Sequence, residues 1–212
     1  MASVHSDPGD SAGAAPAGST VLTAHKILVA GGFGAGKTTL VSAISEVRPL
    51  FTEEPLTAAS VSRDNLAGLP GKTTTTVALD YGRITISDQL VLYLFGVPGQ
   101  ERFWFMWDEL AYGALGAVVL ADVRRLDDSF PSVSYFEKQD LPFIVAVNCF
   151  DDAPSYDPAE IRLALDLDED VPLILCDARD RSSVQAALIC LVESIATGSG
   201  RTLPAGNGAI RR

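Results

Sequence analysis

The sequence predicts an α/β domain built on a six-stranded, mostly parallel sheet, with one antiparallel hairpin strand and helices on both faces. Short apolar runs typical of buried strands alternate with segments of helical periodicity. Most runs are separated by crossover-length segments, which favour parallel pairing, whereas Ser87-Asp88-Gln89 predicts a tight turn between the second run and the third. The strand candidates cover residues 27–30, 76–86, 90–95, 115–121, 143–147 and 173–176.

Composition sets the ends of the predicted domain. We expect it to cover residues 25–197, because residues 1–24 and 198–212 are rich in glycine, proline and small residues. Such segments carry too little bulky apolar surface to offset the entropy of ordering them. Both ends are therefore predicted to be disordered tails. A chain of 212 residues has room for one domain of this kind with a well-buried core.

Helices are predicted on either side of the motifs described below. One follows the first strand over about 38–47, and the last covers about 182–195. In the last helix, apolar residues recur at three- and four-residue steps and predict a stripe that packs on the sheet. The irregular stretch at 49–75, between the first helix and the hairpin, is typical of a functional or a disordered loop, the alternative being a short helix at about 60–66.

The charge balance argues against a nucleic-acid or anionic-membrane partner. The chain has 16 basic and 27 acidic residues and a formal net charge of −11, which leaves no electrostatic footprint for polyanions. Three cysteines in apolar surroundings fit reduced thiols. No apolar run is long enough for an integral membrane segment, and neither end carries a lipid-anchor signal. We expect a soluble, cytoplasmic protein.

The strongest motif is the run Gly31-Gly32-Phe33-Gly34-Ala35-Gly36-Lys37-Thr38, which follows the first strand. Glycine at both ends allows the backbone to wrap around phosphate oxygens and to aim successive N–H groups at them. Lys37 would face the β- and γ-phosphates, and the Thr38 hydroxyl would bind Mg²⁺. The motif predicts a nucleoside triphosphate site. Its predicted phosphate-binding residues are Gly31, Phe33, Gly34, Ala35, Gly36, Lys37, Thr38 and Thr39.

Base selection is predicted at the ends of the fifth and sixth strands. Asn148 and Asp151 follow the fifth, and the run Cys176-Asp177-Ala178-Arg179 ends the sixth. An aspartate can accept two parallel hydrogen bonds from guanine N1 and N2 but meets no such donor pair on adenine. Asp151 is therefore expected to read guanine, with Asn148 bracing the loops and the Ala178 N–H facing guanine O6. The predicted guanine-site residues are Asn148, Asp151, Asp177, Ala178 and Arg179.

A further run, Gly96-Val97-Pro98-Gly99-Gln100-Glu101-Arg102-Phe103, resembles the second switch of the Ras-like small GTPases. The resemblance implies the small G-protein form of the P-loop NTPase fold. It also implies that Gly99 senses the γ-phosphate and that Gln100 orients the attacking water. The stretch at 76–81 is similar to the first switch, so Thr76 would close on Mg²⁺; Thr73, Thr74 and Thr75 remain competitors.

Within the Ras-like proteins, the chain looks most like the bacterial MglA-like GTPases, especially those encoded in conservon clusters. The resemblance covers about residues 26–196. It rests on the Pro-Gly-Gln second switch, the Gly-Lys-Thr-Thr phosphate loop and the Thr-rich hairpin at 74–82. It implies a guanine-nucleotide switch that hydrolyses GTP, with a small roadblock-fold protein and a sensor-like ATPase protein as partners.

Three positions depart from the Ras-like pattern. Gly96 stands where most small GTPases carry an aspartate that orients Mg²⁺, so we expect weaker metal binding. Phe33 replaces a glycine beside the γ-phosphate, so we expect slow hydrolysis. Cys149 replaces a lysine whose stem covers the guanine ring, which predicts lower affinity with unchanged selectivity.

Two other functions stay open on the sequence. A nucleotide-bound scaffold with little hydrolysis would share the fold and the ligand, and an ATP-dependent P-loop protein would share the phosphate loop. The aromatic residues at 104–107, after the second switch, are interpreted as core under a helix, the alternative being an exposed partner surface.

Overall fold

The computed structural model describes residues 22–48, 54–55, 74–75 and 79–198. Its main sheet has six strands in the order β4-β5-β1-β6-β7-β8. A separate antiparallel pair joins β2 (Glu54–Pro55) to β3 (Thr74–Thr75). The strands of the main sheet are β1 (Thr23–Gly31), β4 (Asp80–Ser87), β5 (Leu90–Gly96), β6 (Ala114–Ala121), β7 (Phe143–Asn148) and β8 (Leu173–Cys176).

The pairing pattern confirms the predicted fold class. Within the main sheet of the described residues, strands β5, β1, β6, β7 and β8 pair in parallel, and β4 pairs antiparallel with β5. A two-residue turn at 88–89 joins β4 to β5. The predicted second strand included Leu79, which lies outside β4 because that strand begins at Asp80; residues 76–78 of the prediction, Thr76 among them, lie outside the described residues.

Five helices accompany the sheet in the part of the chain that the structure describes. They are α1 (Lys37–Ile44), α2 (Trp107–Ala111), α3 (Phe130–Lys138), α4 (Pro158–Ala164) and α5 (Arg181–Thr197). Helix α1 ends earlier than predicted because Ser45 is already extended, whereas α5 runs on to a left-handed glycine cap at Gly198.

Helices cover both faces of the sheet because alternate residues of the central strand point in opposite directions. Ile27 and Val29 of β1 pack in one buried cluster with α1 and α5. Leu28 and Ala30 pack in the other, which includes Val133 and Phe136 of α3 and Ile161 of α4. All four β1 side chains are almost fully buried. The carboxyl end of β1 is therefore fixed from both sides.

The predicted domain limits of 25 and 197 remain predictions, because most of both tails lies outside the described residues. Two residues of the predicted N-terminal tail, Thr23 and Ala24, belong to β1 instead, where they pair with Leu90 and Val91 of β5. No helix within the described ranges is both long and apolar enough to cross a membrane.

Candidate nucleotide-binding site

The predicted phosphate loop connects the end of β1 to the first residue of α1, as its motif requires. Gly31, Gly34 and Gly36 all have positive φ angles, of 133°, 78° and 107°. A Cβ atom at Gly31 would lie 2.3 Å from the Leu120 carbonyl oxygen, and one at Gly36 would lie 2.5 Å from Nδ2 of Asn148. Both the backbone angles and the close approach therefore require glycine here.

Lys37 folds its amine back over this loop. Its Nζ donates to the carbonyl oxygens of Gly31, at 3.0 Å, and of Gly32, at 2.7 Å. Burial lowers the pKa of the Lys37 amine to about 8, and the nearby Asp80 carboxylate opposes that shift. A positive charge at this point is poorly solvated, and an anion bound in the loop would stabilise it.

Asp80 is the most informative site residue that sequence reasoning missed. Its Oδ2 accepts a hydrogen bond of 2.8 Å from the Thr38 hydroxyl, and its Oδ1 is buried without a hydrogen-bond partner in the described structure. Burial raises the pKa of the Asp80 carboxyl, against the Thr38 hydrogen bond and the Lys37 charge. The side chain is only 4% exposed. A buried polar atom left unpaired in a concave site is a candidate ligand-binding atom.

Asp80 lies directly beside Gly96, the position for which weaker metal binding is expected. Asp80 pairs directly with Gly96 across β4 and β5. A Cβ on Gly96 would lie 2.7 Å from both Cβ and Oδ2 of Asp80. A carboxylate of the neighbouring strand thus lies beside the position at which most small GTPases carry an aspartate. The sequence could have revealed that Asp80 and Gly96 are neighbours, because counting back along both strands from the predicted turn pairs these two positions.

The predicted second switch lies against the phosphate loop. A Cβ on Gly99 would lie 2.5 Å from the Gly31 carbonyl oxygen and 3.1 Å from Lys37 Nζ, so the backbone approaches as closely as a glycine permits. The half-buried Gln100 follows, immediately before a 3₁₀ segment at Glu101–Met106. The indole N–H of Trp107 donates to the Pro98 carbonyl at 3.0 Å and fixes this loop on the core.

The aromatic residues after this loop divide between core and surface. Phe103 and Trp107 are buried, and Trp107 packs edge-on against Tyr135 with a ring-centroid distance of 5.0 Å. Trp104 and Phe105 are exposed, by 36% and 75%. The interpretation as core is therefore right for Trp107 and wrong for Trp104 and Phe105, because the 3₁₀ segment turns their side chains outward.

Asn148 joins the phosphate loop to the loops predicted to read the base. Its Nδ2 donates to the Ala35 carbonyl at 2.9 Å, and its Oδ1 accepts from the Ala178 N–H at 3.1 Å. The Cys149 N–H also donates to the Cys176 carbonyl at 2.9 Å. Asn148 is 5% exposed. One buried amide thus places the ends of β1, β7 and β8 around a single crevice, beyond the carboxyl ends of the strands.

An exposed ion-pair cluster lies where the base is predicted to bind. Arg179 donates to both Asp151 oxygens, with Nη1–Oδ2 at 2.8 Å and Nη2–Oδ1 at 2.9 Å. It also donates to Asp177, with Nε–Oδ1 and Nη2–Oδ2 both at 2.9 Å. These contacts lower the pKa of both carboxyl groups and raise that of the guanidinium. Both carboxylates are therefore held ionised.

Two arginines after β6 support the crevice and were not anticipated. Arg124 pairs with the buried Asp122 at 2.9 Å and lies 3.8 Å from the centre of the Phe150 ring. Arg125 donates from Nη2 to the Phe33 carbonyl at 2.6 Å and so braces the phosphate loop. No motif marks these residues. Their only signal is the position of Asp122 at a strand's carboxyl end.

The structure thus brings together nearly all the predicted site residues. Thr39 lies in the first turn of α1, Phe33 is 66% exposed at the tip of the phosphate loop, and Thr76 lies outside the described residues.

Solved structures confirm the fold. The G domain of the T. maritima FeoB iron transporter superposes with a TM-score of 0.55 at 20% identity, covering 81% of this chain and 99% of that domain. The FeoB G domain of Methanococcus jannaschii gives 0.54 at 11% identity, with coverages of 82% and 98%. The chain therefore has the G-domain form of the P-loop NTPase fold.

Sequence comparison provides the family. The uncharacterized protein MJ1339 of Methanocaldococcus jannaschii is 28% identical over 125 residues, which span 58% of this chain and 68% of that protein. A family model described as "Conserved hypothetical ATP binding protein" matches residues 29–198, from the middle of β1 to the end of α5. The chain belongs to this family of conserved hypothetical ATP-binding proteins.

Proposed function

We propose that this protein is a guanine-nucleotide-binding switch that binds GTP and GDP with Mg²⁺ and hydrolyses GTP slowly. The Asn148 bridge carries the proposal, because one buried amide ties the phosphate loop at Ala35 to the base loop at Ala178. Asp151 follows Asn148 on one of these connected loops, and Lys37 follows Ala35 on the other. A nucleotide needs phosphate donors and a base reader on loops that are held together in this way.

At the phosphate end, the loop N–H groups and the Lys37 amine would bind the β- and γ-phosphates, with Gly99 closing over them. The positive end of α1 points the same way. The Lys37 bonds to Gly31 and Gly32 hold the amine over the loop until phosphate oxygens replace those carbonyls. Thr39, in the same first turn, is proposed to bind a phosphate oxygen.

The residues beside this loop fit a Mg²⁺ ion. Mg²⁺ prefers oxygen ligands and is usually held by one or two protein groups together with phosphate oxygens. Thr38 supplies a hydroxyl, and Asp80 supplies a buried carboxylate with one unpaired oxygen. Thr76, outside the described residues, is the proposed third contributor. When bound, Mg²⁺ would neutralise charge on the transferred phosphoryl group.

Gln100 is the proposed catalytic residue. Water attacks the γ-phosphorus of GTP, the bond to the β-γ bridging oxygen breaks, and GDP, inorganic phosphate and a proton leave. Gln100 would orient that water from the loop fixed by Trp107. Phe33 is mostly exposed at the loop tip, where its ring can restrict access to the γ-phosphate. We therefore propose slow hydrolysis in the absence of a partner; the scaffold alternative treats hydrolysis as vestigial.

The family description favours ATP as a second candidate ligand. Adenine presents an acceptor at N1, which would face the acceptor oxygens of Asp151 unfavourably, whereas guanine presents two donors. The two candidates therefore differ at Asp151 and agree on every contact to phosphate.

Signalling to protein partners is also part of the proposal. The exposed Trp104 and Phe105 follow the second switch directly, so a partner surface there would respond to the nucleotide. The MglA-like resemblance suggests a roadblock-fold protein and a sensor-like ATPase protein as partners.

Isothermal titration of the full chain with GDP, GTP and ATP, in Mg²⁺ and in chelator, tests the proposal. We expect GDP and GTP to bind at least about tenfold more tightly than ATP, as a bidentate base contact requires. We also expect chelator to weaken the binding of GTP, because it removes Mg²⁺. Equal or tighter binding of ATP would reject guanine specificity. Single-turnover phosphate release then separates a switch from a scaffold.

A further inference from the structure

Arg179 makes two parallel hydrogen bonds to the carboxylate that is proposed to read guanine. The Nη1–Oδ2 and Nη2–Oδ1 distances to Asp151, of 2.8 and 2.9 Å, describe an end-on, fork-to-fork pair. This arrangement uses the outward-facing lone pairs of both oxygens. The carboxylate therefore already has a complete bidentate partner within its own chain.

Guanine and the arginine side chain present the same donor pattern to such a carboxylate. In guanine, the N1–H and N2–H groups flank C2; in arginine, two N–H groups flank the central guanidinium carbon. Each forms two parallel N–H···O bonds in the carboxylate plane. Only one planar fork can approach the two oxygens end-on at a time, so guanine has to displace Arg179 from Asp151.

Asp177 keeps the displaced side chain close by. It accepts from Arg179 Nε and Nη2, both at 2.9 Å, and from the Arg179 backbone N–H at 2.9 Å. Arg179 can thus release Asp151 while its charge remains paired. It can also return as soon as the base leaves, which makes exchange between the two partners reversible.

The Arg179–Asp151 pair is not what holds these loops in place. The Asp151 side chain is 82% exposed and the Arg179 side chain 53% exposed. The loops are fixed below by the buried Asn148 amide and by the Cys149 N–H to Cys176 carbonyl bond. Removal of the Arg179 side chain should therefore leave the base loops in place and free the Asp151 oxygens.

We propose that Arg179 is an internal competitor for the base-reading carboxylate and that it sets the affinity of the protein for guanine nucleotides. This inference rests on the proposed function and changes the role expected for Arg179, from a base ligand to a rival of the base. Asp151 can bind guanine only in the fraction of molecules in which Arg179 is not paired with it. The apparent affinity for guanine nucleotides equals the intrinsic affinity multiplied by that fraction.

The test compares GDP and ADP binding to wild type, Arg179→Ala and Arg179→Lys. Lys138→Ala serves as the control for loss of one exposed positive charge far from the crevice. Because the pair is solvent-exposed, we expect Arg179→Ala to tighten GDP binding by about two- to fivefold, through faster association. Arg179→Lys keeps the charge but lacks the planar pair of N–H groups, so its GDP affinity should lie between those of wild type and Arg179→Ala. The GDP affinity of Lys138→Ala should match that of wild type. ADP affinity should not change.

Two further measurements separate competition from a general change in the site. The ratio of the GDP affinity of Arg179→Ala to that of wild type should approach one at high salt, because salt screens the ion pair. In an Asp151→Asn background probed with xanthosine diphosphate, Arg179→Ala should give no gain, because the carboxylate for which Arg179 and the base compete is gone.

Unchanged or weaker GDP binding by a folded Arg179→Ala protein would overturn the inference; weaker binding would mean that Arg179 contacts the nucleotide itself. Failure of the proposed function looks different. In that case wild type prefers ADP to GDP, and Asp151→Asn does not alter base preference.

Discussion

The two ends of the crevice are stabilised in opposite ways. At the phosphate end, Lys37, Thr38 and Asp80 are held by loop carbonyls and by each other, and Asp80 is 4% exposed. At the base end, Asp151 and Arg179 are ion-paired at the surface, with side chains 82% and 53% exposed. Burial strengthens polar interactions and makes an unpaired polar group costly, whereas exposed ion pairs are weak and easily exchanged. Substitutions that crowd the buried phosphate end should therefore lower stability as well as binding, whereas base selection should be adjustable without loss of stability.

The largest effect is expected from Lys37→Ala. Its amine lies over the carbonyl oxygens of Gly31 and Gly32, and loss of charge-assisted bonds to the β- and γ-phosphates should weaken GTP binding by more than about 100-fold. The fold should persist, because the loop is formed by its backbone. Titration calorimetry measures the binding, circular dichroism checks the fold, and Lys138→Ala is the matched control. Tight GTP binding by folded Lys37→Ala would contradict the assignment of the phosphate loop.

The coupling between metal binding and folding can be tested by moving the carboxylate. Gly96→Asp alone should cost about 1–3 kcal/mol in the free energy of unfolding, because its Cβ would lie 2.7 Å from Asp80. Asp80→Gly alone should abolish most of the Mg²⁺ dependence of GTP binding. In the double variant, each change removes the other's defect, so stability and Mg²⁺ dependence should both recover.

Gly82→Ala provides the control for crowding in the same strand. Its Cβ would lie 2.7 Å from Val41, away from the site, so it should lower stability and leave Mg²⁺ dependence intact. Urea denaturation gives the unfolding free energies, and GTP titrations in Mg²⁺ and in chelator give the metal dependence. Full Mg²⁺ dependence of GTP binding in the folded Asp80→Gly variant would remove Asp80 from the metal site.

At the exposed end, Asp151→Asn should change base preference and nothing else. One acceptor oxygen becomes a donor amide facing donors on guanine, while xanthine, with an acceptor at that position, becomes the better partner. The ratio of GTP to xanthosine triphosphate affinity should shift by about 10- to 100-fold. The thermal midpoint should stay at the wild-type value. An unchanged ratio would show that Asp151 does not read the base.

The two ends also differ in how far the sequence could predict them. Apolar runs and glycine spacing are local signals, so the phosphate loop and the six-stranded sheet were predicted correctly in kind. The Asp80–Gly96 relation depends on the register of two strands, and the Arg179–Asp151 pair joins two loops 28 residues apart. Such contacts are made by tertiary structure. The helix ends were misplaced by a few residues because caps, and not periodicity, decide them.

The smallest effects are expected on the rate of GTP hydrolysis. They test Gln100 and Phe33, two residues of the phosphate end that are not buried. Gln100→Leu should slow single-turnover GTP hydrolysis by at least about tenfold, since the side chain is proposed to position the attacking water. GTP affinity should not change, because Gln100 is not expected to contact the ground-state nucleotide. An unchanged rate, measured against a clear wild-type rate, would favour another water-positioning group or a scaffold without hydrolysis.

Phe33→Gly belongs in the same assay and should raise the rate by a few-fold, either intrinsically or with a roadblock-type partner. The substitution removes a ring that is 66% exposed, so little packing is lost. The Arg125 bond to the loop uses the residue 33 carbonyl, which glycine retains. A faster rate with unchanged GTP affinity would show that access, and not loop geometry, limits hydrolysis. If the rate is unchanged or slower, the ring does not shield the γ-phosphate, and Phe33 has to be assigned to the exposed surface together with Trp104 and Phe105.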